Sequence, residues 1–302
     1  MAATQMQMFG GDWTEQKLTM LKEYLHAYTT ALKNTTFSLA YIDAFAGTGY
    51  RELKENIEGQ TLLPFEELAQ EDPQKFLDGS ARIALQAKPA FSRYVFIEKH
   101  RRRFAELEKL KNDFPAHADA IELYNGDANE YIQDWCEKCD WREWRAVLFL
   151  DPFGMQIDWV TMEAVAKTQA IDVWITFPLG VGVNRLLTKD PAMIPPSWRS
   201  RLNRMFGSDD WFDIFYKERV SRGLLGENKE ISKDCTFETI SKYYQDKLKT
   251  VFAKVADNPR VLSNSTGNPI FQLHFAAGNP GRGGEIAKRI AQHILKEKEH
   301  GD

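Results

Sequence analysis

Three apolar runs in this chain stop abruptly at an acidic residue or a glycine. They are Tyr41-Ile42-Asp43-Ala44-Phe45-Ala46-Gly47-Thr48-Gly49, Tyr94-Val95-Phe96-Ile97-Glu98 and Val147-Leu148-Phe149-Leu150-Asp151-Pro152-Phe153-Gly154. A fourth segment, Gly126-Asp127-Ala128-Asn129, is a loop placed to follow a strand. A parallel α/β sheet buries its strands and binds its ligand where their carboxyl ends meet polar residues. Repetition of that edge within one chain constrains the fold more than any single motif.

The remaining pattern fits such a sheet. Leu18, Leu21, Leu25, Tyr28 and Leu32 repeat at three- and four-residue steps, which predicts a helix over Asp12–Leu32 with Asp12 and Glu15 as a capping pair. Strands are expected at Phe37–Phe45, Phe91–Glu98, Ala120–Tyr124, Ala146–Leu150 and Ile171–Pro178. Helices alternate with them at Arg101–Lys111, Tyr131–Trp144 (mostly exposed) and Trp159–Lys167. Strand–helix alternation at these lengths implies a right-handed parallel arrangement. Residues 50–78 interrupt it with polar sequence and two prolines, Pro64 and Pro73. Such an insertion is a lid or is disordered. Leu62, Leu63, Phe65 and Leu68 can anchor it, so a lid is expected, with the helix resuming at Ser80 as its N-cap.

Val181–Asn258 reads as helical, without strand signal, and carries Trp198, Trp211, Phe212, Phe215, Tyr216, Tyr243 and Tyr244 for packing against the ligand edge. Arg260–Asn264 and Ile270–Phe275 flank a turn-forming stretch and predict a hairpin, followed by a helix over Gly283–Lys296. The expected organisation is a core over 1–185, a helical insertion over 186–258, and a hairpin and helix over 259–302 that complete the core.

Composition narrows the function classes. With 43% apolar and 27% charged residues the chain is ordinary for a globular protein. No apolar run approaches the roughly 18 residues that span a bilayer, and the first residues lack a basic segment leading into an apolar one. A cytoplasmic protein without a membrane partner is expected. The net charge of −4 means that a nucleic-acid substrate would need a local basic patch. Arg185, Lys189, Arg199, Arg201 and Arg204, interleaved with Trp198, form either that patch or a solvated helix face, and Lys99-His100-Arg101-Arg102-Arg103 can balance nearby acids. Cys136 and Cys139 have the spacing of half a zinc site, but Cys235 stands alone and the six histidines show no ligand spacing. Reduced thiols and no metal site are expected.

Each edge motif has a chemical use and a plainer alternative. Gly47 and Gly49 let backbone approach a ligand, or simply turn the chain. A dinucleotide fingerprint needs a third glycine where Glu52 stands, which disfavours a nicotinamide-dependent oxidoreductase. Glu98 can accept both hydroxyls of a ribose, or be a solvated strand end. Asp127 can accept from an adenine amino group, or make an Asx turn. Asp151 can accept a hydrogen bond from an exocyclic amine and aim its lone pair, Pro152 stiffens the loop, and Phe153 offers a face to a flat base. Asn184 and Arg185 follow the fifth strand and are substrate contacts or a capping and surface pair.

The order of these segments resembles the class I S-adenosylmethionine-dependent methyltransferases. Residues 41–50, 79–85 (Gly-Ser-Ala-Arg-Ile-Ala-Leu), 148–155 and 172–185 (Asp-Val-Trp-Ile-Thr-Phe-Pro-Leu-Gly-Val-Gly-Val-Asn-Arg) are more closely similar to the three-Cys-motif partner proteins, over a stretch from about Leu18 to the final hairpin. That family is named for the cysteine motif of a neighbouring partner protein. The resemblance implies a Rossmann-like, seven-stranded, mostly parallel sheet with a C-terminal β-hairpin and a helical insertion. It implies S-adenosylmethionine as cofactor, bound by Phe45 among others, with Asp43, Gly47 and Gly49 at its methionine end, Glu98 at the ribose, and Asp127 and Ala128 at the adenine. Asp151, Pro152 and Phe153 would face the methyl acceptor. Their Asp-Pro-Phe-Gly form departs from the Asp/Asn-Pro-Pro-aromatic loop of many DNA amino-methyltransferases and is similar to that of tRNA dimethylguanosine methyltransferases.

Two functions are therefore expected of such a chain. One is methyl transfer to an exocyclic amine of a nucleobase in DNA or RNA. The other is a donor-binding subunit, catalytically weak or inactive, that works with a three-Cys-motif partner protein.

Overall fold

The computed structural model describes residues 12–47, 79–152, 154–223 and 226–296. The expected lid at 50–78, Gly49 and Phe153 lie outside the described residues. In chain order the elements are α1 (Asp12–Leu32), β1 (Ser38–Asp43), α2 (Ser80–Leu85), β2 (Arg93–Ile97), α3 (Arg101–Leu107), α4 (Leu110–Asp113) and β3 (Ile121–Tyr124). Then come α5 (Ala128–Lys138), β4 (Trp144–Leu150), α6 (Trp159–Lys167), β5 (Ile171–Phe177), a π-helical turn (Leu179–Asn184), α7 (Pro196–Phe206) and α8 (Trp211–Phe215). The chain continues with β6 (Tyr216–Gly223), β7 (Gly226–Lys233), α9 (Phe237–Val251), β8 (Lys254–Val255), β9 (Arg260–Ser263), β10 (Pro269–Ala277) and α10 (Arg282–Ile294).

The main sheet is Rossmann-like and mostly parallel, in the order β3-β2-β1-β4-β5-β10-β8, with β9 also paired to β10. Strands β3, β2, β1, β4 and β5 run parallel, and β10 enters antiparallel beside β5. Side-chain alternation along β1 divides the core. Ala40 and Ile42 join α5, α6 and α9 on one face, whereas Leu39 and Tyr41 join α1, α2 and α10 on the other. At the carboxyl end of β5, Tyr244 of α9 stacks on Phe177, with ring centroids 4.0 Å apart. Among the described residues no helix is long and apolar enough to cross a membrane.

Several expectations are corrected. The sheet has eight strands rather than seven, because two short strands, β8 and β9, both pair with β10. The region expected to be wholly helical holds the ribbon β6–β7, paired from Tyr216↔Lys233 to Gly223↔Gly226. Its apolar Val220 and Ile231 are exposed, and among its described side chains only Tyr216 and Ser232, at one end, are buried, so alternation gives little signal. The helix expected at Tyr131–Trp144 starts at Ala128 and ends at Lys138, and buries Ala128, Ile132, Trp135 and Cys136 rather than lying mostly exposed. The helix expected over Arg101–Lys111 is broken into α3 and α4. Gly79, not Ser80, caps α2.

One buried pair ties α1 to the start of β5. The Tyr24 hydroxyl donates to Asp172 Oδ2 at 2.7 Å. Burial pushes the Asp172 carboxyl up to about 7, against the opposing hydrogen bond from Tyr24 and charge of Arg145. A carboxyl raised on folding contributes stability that is complete below its unfolded pKa and is lost as pH rises through the folded value. Asp172→Asn keeps an acceptor for Tyr24 without that titration. Its melting temperature relative to the wild type is expected to rise between about pH 4 and about pH 8 in thermal melts; a constant difference would show that Asp172 is not the group responsible.

Candidate functional site

A cleft of about 790 Å³ opens along the carboxyl ends of the parallel strands. Ala44 and Phe45 after β1, Glu98 after β2, and Gly126, Asp127 and Ala128 after β3 line it, and Gly154, Met155 and Gln156 after β4 complete that wall. Arg201 and Arg204 of α7 line it from the helical side.

The turn after β2 is tightly specified. Glu98 is only 7% exposed, and its Oε1 accepts from the His100 backbone N–H at 2.7 Å. The Asn125 side chain donates to the Glu98 carbonyl at 2.7 Å, so the loop after β3 braces the end of β2. Asp127 is the N-cap of α5. Its Oδ1 accepts from the Asn129 N–H at 2.9 Å and its Oδ2 from Lys99 Nζ at 2.9 Å. Partial burial raises the Asp127 carboxyl, but Lys99 and the Asn129 amide outweigh it and hold the group below the usual carboxylate range. Asn129 then bridges to the loop after β4: its Nδ2 donates to the Gln156 carbonyl at 2.8 Å, and its Oδ1 accepts from the Asp158 N–H at 3.0 Å.

A second polar group lies among α1, β1, α2 and the end of β4. Lys17 Nζ donates to Asp151 Oδ2 at 2.5 Å. Lys17 is only 3% exposed, and Asp151 keeps 27% of its side-chain surface. Asp43 is fully buried, and accepts from Tyr41 Oη at 3.4 Å and the Phe45 N–H at 3.3 Å. Burial pushes the Asp43 carboxyl up to about 7; the Ser80 hydroxyl, hydrogen-bonded to it, opposes this, and the Asp151 charge adds to it. Ser80 thus serves Asp43 instead of capping its helix.

The structure therefore sorts the expected residues. Phe45, Glu98, Asp127 and Ala128 converge on the cleft. Asp43 and Asp151 meet beside Lys17, and Pro152 is buried at the end of β4. Gly47 has φ +62°, a left-handed backbone suited to glycine, and a Cβ there would meet open space. Asn184 and Arg185 are not brought to the cleft lining. Lys233 donates to Asn184 Oδ1 at 2.7 Å, and Arg185 is exposed.

Sequence reasoning overlooked Lys17 and left Arg201 and Arg204 undecided. Lys17 stands four residues before Leu21 and seven before Tyr24, in step with the buried stripe of α1. A lysine in that register was the available signal. Among the described residues no group of three or more His, Cys, Asp or Glu could hold a metal ion. Cys136 is buried, with its thiol pushed up to about 12 by burial first and by Cys139 second, as befits an inert thiol.

No protein-family model matches the sequence, and no curated protein matches it. Similar solved structures include a Legionella pneumophila protein of family DUF519, at 16% identity over 77% of this chain and 91% of that one, with a TM-score of 0.39. Spermidine synthase in complex with the transition-state analogue AdoDATO shares 10% identity over 94% of this chain and 63% of that one, with a TM-score of 0.41. The N-terminal domain of EvdMO1 in the presence of SAH and D-fucose shares 10% identity over 85% and 82%, with a TM-score of 0.35. The α/β assignment rests on the strand order and register, not on these likenesses.

Removing one partner of a buried ion pair strands the other charge, whereas apolar replacement of the buried cation need not destabilise the fold. Asp151→Ala is therefore expected to lose about 3 kcal/mol in denaturant unfolding. Adding Lys17→Met to it should recover most of that loss; a double variant no more stable than Asp151→Ala would mean that the pair is not what stabilises this corner.

Proposed function

We propose that this protein is an S-adenosylmethionine-dependent methyltransferase acting on an exocyclic amine of a nucleobase. The observation that carries the reading is the convergence of Phe45, Glu98, Asp127 and Ala128 on one cleft at the strand ends. Its volume of about 790 Å³ suits a nucleoside-sized ligand. When bound, S-adenosylmethionine supplies an electrophilic methyl group. Glu98 presents a buried carboxylate to the ribose hydroxyls, and its backbone is already braced by Asn125. Asp127 accepts from the adenine amine while its other bonds hold the start of α5. Gly47 turns the backbone past the methionine end. Asp151, with Pro152 behind it, accepts from the amine to be methylated, and orientation is the main contribution to rate. Lys99, Arg103, Arg201 and Arg204 on the cleft lining suit a nucleic-acid acceptor, whose phosphates need local cations on a chain of net charge −4.

The finer reading, membership of the three-Cys-motif partner family and action with that partner, rests on the motifs at 41–50, 79–85, 148–155 and 172–185. It allows a second function, a donor-binding subunit that does no chemistry. The observation that favours it is that Asp151 is not among the described residues lining the cleft.

Isothermal titration tests the donor half. Wild-type protein is expected to release or absorb heat with both S-adenosylmethionine and S-adenosylhomocysteine. Glu98→Gln, which keeps an acceptor for the His100 amide but loses the charge, should weaken both about tenfold or more. No heat with either ligand defeats the proposal.

A further inference from the structure

We propose that Lys17 is a positioning residue for the transfer: its ammonium fixes the Asp151 carboxylate through Oδ2 and leaves Oδ1 to receive the acceptor's amine. The inference rests on the methyltransferase reading. Lys17 reaches Asp151 from α1, 134 residues away in sequence. Among the described residues no donor is hydrogen-bonded to Asp151 Oδ1. Asp151 is open enough, at 27% exposure, for a ligand to reach it, whereas Lys17 at 3% cannot swing into water. The Trp13 ring packs 5.0 Å from the ammonium and further restricts it.

Stability alone does not account for a lysine here. An apolar side chain of similar volume would fill the same space without the desolvation that an ammonium suffers. What the lysine adds is charge and direction at one carboxylate. Without it, Asp151 would sit beside the buried Asp43 and the Tyr41 hydroxyl on β1, with Ser80 of α2 bonded to Asp43, and no cation among these groups. In the transfer the acceptor nitrogen bonds the methyl carbon as that carbon leaves the donor sulfur. The sulfur keeps the bonding pair, and the nitrogen sheds one proton to water. A carboxylate with one oxygen tied and the other open holds the amine through that motion.

The test uses the full chain, tritiated S-adenosylmethionine, and unmodified DNA and RNA as acceptors. Lys17→Met is expected to remain folded, keep the donor Kd within about twofold, and lower kcat at least about tenfold. Lys17→Arg should recover part of that kcat. Adding Lys17→Met to Asp151→Asn should cost little more, because Lys17 acts only through Asp151. An unchanged kcat in Lys17→Met, or losses that multiply in the double variant, would overturn the inference. If Lys17→Met does not fold, Lys17→Gln takes its place under the same criteria. A wild type that binds no donor removes the methyltransferase reading itself, which is a separate result. A wild type that binds donor but labels neither nucleic acid favours the non-catalytic subunit and overturns the role given to Lys17.

Discussion

Strand β1 sends Ala40 and Ile42 into one core and Leu39 and Tyr41 into the other, and β2, β4 and β5 are almost wholly buried as well. A sheet covered in this way has no face left for a polar ligand. Polar chemistry is confined to the ends of the strands, and five parallel strands put five of those ends on one rim. The cleft, the carboxylates and the glycine turn follow from that confinement. Helix α7 adds Arg201 and Arg204 to the lining from outside the strands.

Both carboxyls pushed to about 7 owe it to burial first, yet they stand at opposite ends of the sheet. Asp43 closes β1 at the carboxyl-end rim, while Asp172 near the start of β5 meets Tyr24 on α1. A raised carboxyl in this fold is therefore no guide to the site by itself. What separates the two is company. Asp172 has a tyrosine hydroxyl as hydrogen-bond partner, whereas Asp43 neighbours a second carboxylate that carries its own buried lysine.

The parallel core was legible because its signal is local and repeated. Long apolar runs ending in Asp43, Glu98 and Asp151 leave few other folds, and α6 and the β9–β10 hairpin fall close to where periodicity and turn residues put them. The ribbon β6–β7 was illegible for the opposite reason: among its described side chains only Tyr216 and Ser232 are buried, both at one end, so little pattern marks it. At the site, Glu98 and Asp127 were readable as strand-end acids. Their company was not, because the contacts of Asp151 with Lys17 and of Asp43 with Ser80 join residues far apart in sequence. Asn129 was visible within its motif, but its bridge from α5 to the loop after β4 depends on tertiary geometry alone.

The two ion pairs at the rim differ in what a ligand can do to them. Lys99 is 75% exposed where it meets Asp127, so that pair is worth about 1 kcal/mol or less and can yield to an incoming amine. The cap that Asp127 makes on α5 survives the exchange, because it uses the other oxygen. Lys17 is buried and has no water to retreat to, so its pair with Asp151 is the harder of the two to break. One carboxylate can thus adapt to a ligand while the other is held in place. That is the division expected where one end of a bound molecule needs only recognition and the other needs a fixed direction.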